Sequence, residues 1–190
     1  MFGHRGELSD LLDDVEKYPH RVIVGVSGSP GSLHALRRAV AEARLRDAEL
    51  WAVITWVPRG GELANRRAPC PPLLKLWRDE AARILCQAWD DALGGIPDDL
   101  HVRMFALRGT AGRRLVDVAD GENDLLVVGS GTGGPLARLV NGSVARFCVK
   151  RARRGVLTVP PSLVERQLAH HPLARRRLLR ELTQPTAVQP

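Results

Sequence analysis

The chain has 190 residues, 44% hydrophobic but only 4% aromatic, so one domain with a core of Ala, Val and Leu fits its length with some chain to spare. No apolar run reaches the ~18 residues of a membrane span. Three scattered cysteines without CxxC spacing exclude a disulfide framework or a zinc site and read as reduced thiols.

Residues 1–20 read as an N-terminal arm, with Leu8, Leu11, Leu12 and Val15 able to form a short apolar face. Their polar, acidic start predicts no secretory signal and hence a cytoplasmic protein. The domain is expected over 21–161. Arg21–Val26 is a β-branched run and the first predicted strand. Ser27 to Ser32 is a turn rich in capping residues, with Ser27 expected to cap the helix that follows. In that helix Leu36, Val40 and Ala43 recur at helical spacing, and Arg37, Arg38, Glu42 and Arg44 are expected toward water. Glu49–Val57 is the second strand, and Arg59–Pro72, rich in Gly, Pro and Arg, is expected to be a surface loop.

A long helix then carries Leu74, Trp77, Ala81, Leu85, Ala88 and Ala92 on one face and ends at Gly94-Gly95. Leu100–Leu107 alternates and predicts a third strand near an edge. Gly109–Ala119 is a shorter helix, Asp124–Gly129 the fourth strand, and Gly142–Arg151 the fourth helix with Val144, Phe147 and Cys148 inward. Gly155–Val159 is the fifth strand. The four tryptophans, at 51, 56, 77 and 89, sit at core-like spacings.

Near-continuous apolar strands alternating with amphipathic helices imply an α/β fold with a parallel sheet covered on both faces. Right-handed crossovers give the five strands the order 3-2-1-4-5. In that order the chain reverses between strands 1 and 4, and ligands of such sheets lie at the carboxyl ends of those strands. Those ends are Val26-Ser27-Gly28 and Gly129-Ser130-Gly131. The second opens Leu125–Val144, LLVVGSGTGGPLARLVNGSV, a buried strand feeding a glycine-rich loop that closes on Asn141-Gly142-Ser143 at a helix start. Bare backbone and a helix N-terminus together form an anion site.

Three stretches then resemble the universal stress protein family. They are RVIVGVSGSPGSLHALRRAVAEA, ELWAVITWV and DLLVVGSGTGGPLARLVNGSVARFCVKRARRGVLTVPP, which together span about Arg21 to Pro160. The resemblance implies a flavodoxin-like fold of the adenine nucleotide alpha hydrolase type and a stress-response regulatory role. It also implies a homodimer paired through the last strand, Gly155–Val159, and in one branch ATP or another adenine nucleotide, with or without Mg. On that branch the nucleotide would contact Val26, Ser27, Gly28, Thr55, Gly129, Ser130, Gly131, Thr132, Gly133, Asn141, Gly142, Ser143 and Val144. Two positions depart from the branch pattern: Thr132 stands where it has a glycine and Ser27 where it has an aspartate facing the nucleoside.

No carboxylate pair, phosphate-loop lysine or nucleophile–base pair accompanies this loop, and the sequence around His34 and His101 shows no acid or nucleophile pattern. A non-enzymatic role follows, with at most slow ATP hydrolysis. Most of the net charge of +7 sits in the tail end of the chain, since residues 151–190 hold eight Arg and two Glu. Arg175–Arg180 make the tail from 162 to 190 a basic helical segment suited to an acidic partner or to nucleic acid. The alternative reading is therefore a nucleotide-free dimeric docking protein that engages a protein or nucleic-acid partner through this tail.

Overall fold

The computed structural model describes residues 20–130 and 144–160. Expectations that concern the arm, residues 131–143 and the tail beyond Pro160 lie outside the described residues.

The five apolar runs form strands β1 (Arg21–Val26), β2 (Glu49–Trp56), β3 (Val102–Arg108), β4 (Asp124–Gly129) and β5 (Gly155–Val159). Between them lie helices α1 (Pro30–Arg46), α2 (Gly61–Arg67), α3 (Pro71–Leu93), α4 (Ala111–Val118) and α5 (residues 144–151). Strand pairing is parallel throughout, in the order β3-β2-β1-β4-β5, as the crossover argument requires. β3 is an edge strand and none of its residues is fully buried, which matches its alternating sequence.

Period-two alternation splits the core into two layers. Val22, Val24 and Val26 of β1, with Leu50, Ala52 and Ile54 of β2, face α1 and α3, where Leu36, Val40, Leu85 and Trp89 complete the layer. Ile23, Trp51, Val53, Leu126 and Val128 face the opposite side and meet Leu115, Ala145 and Cys148 from α4 and α5. The scarcity of aromatics is met by small residues on α1: Ala35, Ala39 and Ala43 are fully buried and let the helix lie close to the sheet.

One charged pair sits inside the frame. Arg21 and Asp124 are register partners at the amino ends of β1 and β4. The Arg21 guanidinium donates to both carboxylate oxygens, at 2.8 and 2.6 Å, with each side chain only 3% exposed. The same guanidinium lies 4.4 Å over the Trp51 ring, and the Gly121 N–H donates to Asp124 Oδ2 at 2.8 Å. Fork-to-fork pairing of this kind fixes geometry as well as charge.

Four expectations need correction. Glu42 does not face water; it is 5% exposed and paired with both Arg38 and Arg46. It lies at the flank of the α1 apolar stripe, where two arginines neutralise it. The stretch 59–72 is not all loop, because Gly61–Arg67 forms the short helix α2 without a single buried residue. Phe147 is 40% exposed although its ring presses on Gly112. Of the tryptophans, 51 and 89 are buried in the core, while Trp56 and Trp77 are only partly covered.

Candidate functional site

The connections from β1 and β4 leave on opposite sides of the sheet, so the carboxyl ends of these neighbours part and open a cleft. It measures about 360 Å³, within the range of small-molecule sites. Its floor is the strand ends: Gly25 and Val26 of β1, Val53 to Trp56 of β2, and Val128 with Gly129 of β4. One wall is α3, through Trp77, Glu80, Ala81 and Ile84; Ala111 and Leu115 of α4 and Val144 of α5 form another. The rim carries Val57 and Arg59. Most of this surface is apolar, and the serines of the lining are gathered at one end.

That end is the start of α1. Ser29, not Ser27, caps the helix: its hydroxyl accepts the Ser32 N–H at 3.3 Å, and Pro30 occupies the first helical position. The Ser29 carbonyl takes N–H groups from Ser32 and Leu33 at 2.9 and 3.0 Å. Pro30 has no N–H to offer. Among the first three helical positions this leaves the Gly31 N–H without a partner among the described residues, and Gly31 lines the cleft. The positive end of the helix dipole adds to it. Ser27 is exposed beside this turn, its N–H donated to Ser32 Oγ at 3.2 Å and its hydroxyl 3.0 Å from Ser29 Oγ. Beside it the β4 backbone comes in very close, since a Cβ on Gly129 would fall 2.5 Å from the Gly31 carbonyl oxygen.

The charged groups of the lining are Arg59 and Glu80. Arg83 donates to both Glu80 oxygens, at 2.9 and 2.8 Å, and this holds the Glu80 carboxyl below its ordinary range. Arg59 adds a smaller pull in the same direction. On the outer side of the rim, Arg108 donates to Glu62 at 3.0 and 2.7 Å and lowers that carboxyl likewise. Among the described residues no group of three His, Cys, Asp or Glu could hold a metal ion. None of their helices is long and apolar enough to cross a membrane.

Of the residues expected at the site, the cleft brings together Val26, Ser27, Thr55, Gly129 and Val144. Gly28 sits in the β1–α1 turn, close to Ile84 but outside the lining. Ser130 also lies outside it, with both its N–H and its hydroxyl donated to the Val159 carbonyl at 2.8 and 3.1 Å. Gly131, Thr132, Gly133, Asn141, Gly142 and Ser143 lie outside the described residues, as do Arg175–Arg180. Sequence reasoning missed Ser29, Arg59, Glu80 and Ile84. Pro30 was the available signal for Ser29, because proline at the first helical position puts the cap one residue earlier.

The model of the universal stress protein family matches residues 19–160. The chain belongs to the universal stress protein family. Among solved structures, a universal stress protein in complex with cAMP is 28% identical, with TM-score 0.55, and the match covers 75% of this chain and 98% of that one. Universal stress protein UspA from Lactobacillus plantarum is 22% identical over the same shares of the two chains, with TM-score 0.57, and has the same fold. So does a hypothetical protein whose biochemical function was assigned from its structure, at 18% identity and TM-score 0.60, over 76% of this chain and 98% of its own. The universal stress protein frame thus accounts for the five-stranded parallel sheet and its order.

Proposed function

We propose that this universal stress protein binds an adenine nucleotide in the cleft and acts as a non-catalytic regulatory module of the stress response. The observation that carries this reading is the meeting, in one cleft, of the Gly31 N–H at a helix start, without a partner among the described residues, with an apolar wall sized for a base. The residues present fit such a ligand in kind. Trp56, Ile84 and Leu115 offer apolar contact to a ring, Ser27 and Thr55 offer hydroxyls to a ribose, and the first turn of α1 offers a donor to a phosphate. The 28%-identical relative whose structure contains cAMP supports the adenine assignment.

In this reading Gly131, Thr132, Gly133, Asn141, Gly142 and Ser143 complete the phosphate side, and the ligand is ATP or a smaller adenine nucleotide, with or without Mg. Neutral Ser27 in place of a carboxylate withdraws one strong acceptor from the nucleoside, which lowers affinity by about 1–3 kcal/mol. The chain acts as a cytoplasmic homodimer. Among the described residues the outer edge of β5 carries no strand, so a second copy can extend the sheet there. Calorimetric titration of the full chain with ATP, AMP and cAMP tests the ligand, and sedimentation tests the dimer. Absence of heat at millimolar concentrations of all three sinks the nucleotide reading.

A further inference from the structure

Resting on the nucleotide reading above, we propose that Arg59 is the residue by which the cleft selects an anionic ligand over its uncharged counterpart. Glu62 and Arg108 hold Arg59 in position.

The local sequence places Arg59 deliberately at a corner. β2 ends at Trp56, and the Gly61 N–H then donates to the Pro58 carbonyl at 2.8 Å, closing a four-residue turn with Arg59 and Gly60 at its centre. Gly60 has φ 86° and ψ −5°, the values of the third residue in a type II turn, which a side chain disfavours. Pro58 is buried and anchors the near side of the turn. Arg59 therefore occupies the apex, and its side chain reaches the cleft lining.

Beyond the turn, α2 buries no residue, so packing does not hold it. The Glu62–Arg108 fork does, and the Arg108 guanidinium in turn lies 5.8 Å over the ring of Trp56, itself part of the cleft floor. The apex is thus braced from the cleft outward.

The guanidinium that results lies in the field of Glu80 without pairing with it. Arg59 donates no hydrogen bond to any described residue and forms no ion pair within 4.0 Å with one, whereas Glu80, the other charged group of the lining, is already forked to Arg83. A planar cation with no hydrogen-bond partner among the described residues, on the rim of a mainly apolar cleft whose lining also holds Gly31, suits a flat ring bearing one phosphate group.

The test uses the full chain and two probes, AMP and adenosine, followed by tryptophan fluorescence because Trp56 and Trp77 line the cleft. The wild type binds AMP more tightly than adenosine. Arg59→Ala loses about tenfold in AMP affinity and none in adenosine affinity, while Glu62→Gln loses a smaller factor for AMP alone and Arg59→Lys recovers part of the loss. Arg59→Ala binding AMP as the wild type does overturns the proposal and leaves the nucleotide reading standing. Equal loss of AMP and adenosine also overturns it, since that pattern marks a damaged wall. A wild-type chain that binds neither probe removes the proposal, and the nucleotide reading falls with it when ATP and cAMP fail to bind as well.

Discussion

Gly129 at the end of β4 and Gly31 in the first turn of α1 touch backbone to backbone: a Cβ on Gly129 would lie 2.5 Å from the Gly31 carbonyl oxygen and 2.9 Å from its carbon. Neither partner is a flexible side chain, so an added methyl group must push the helix start away from the strand. Gly129→Ala is expected to destabilise the domain by about 1–3 kcal/mol, the usual range for overpacking a closed contact. Gly155→Ala is the control, because its Cβ would meet only Leu125 Cδ1 at an ordinary 3.5 Å. Urea denaturation with equal midpoints for the two variants contradicts this.

The buried fork between Arg21 and Asp124 predicts a non-additive pair. Asp124→Ala strands a guanidinium that is 3% exposed and costs about 3–5 kcal/mol. Replacing both residues, as Arg21→Met with Asp124→Leu, costs less than the single change because no charge is left unpaired. The pair lies at the amino ends of β1 and β4, the far end from Ser27, so nucleotide affinity is expected to hold in the folded fraction. A double-mutant cycle in guanidinium chloride reads the coupling directly.

The two serines of the β1–α1 turn separate a cap from a bystander. Ser29→Ala removes the hydroxyl that accepts the Ser32 N–H and is expected to cost about 0.5–2 kcal/mol. Ser27→Ala, at an exposed hydroxyl whose contact is Ser29 Oγ, is expected to stay within about 0.5 kcal/mol of wild type. Thermal melts that rank the two in the opposite order restore Ser27 as the cap.

Cys148 gives a pH signature. It is fully buried between α4 and the sheet, and burial pushes its thiol up from 9.0 to about 11. The folded state resists the thiolate, so the contribution is whole below pH 9.0 and is lost as pH rises from there to about 11. At about 1.4 kcal/mol per unit the loss amounts to roughly 2–3 kcal/mol. Cys148→Ala is less stable at neutral pH but falls less steeply across that alkaline window. Parallel slopes for the two proteins refute the assignment.

Much of the frame was legible because the strands are buried on both faces and read as unbroken apolar runs. β1, β4 and β5 were placed to the residue, and the crossover rule supplied their order. What failed did so where periodicity carries no signal. The α2 segment GELANRR holds good helix formers but no apolar stripe, so nothing distinguished it from its loop. Glu42 sits next to Ala43 at the edge of a stripe, where one residue of rotation separates solvent from core, and its burial depends on Arg38 and Arg46. At the cleft, the strand ends were found from topology. The α3 wall was not, because Trp77, Ala81 and Ile84 continue the helix's core stripe and only the tertiary fold reveals that its first turns overhang the sheet.

His34 lies one turn into α1, and its Nδ1 is 3.0 Å from the Pro160 carbonyl oxygen, an arrangement that puts the ring proton on that nitrogen. The same helix therefore offers its first turn to the cleft and its second to the point where the chain departs from β5. A rigid rod joins the two. Gly31 and His34 lie within one helical pitch of each other, so the cleft lining and the carboxyl end of β5 are joined through a single turn of α1.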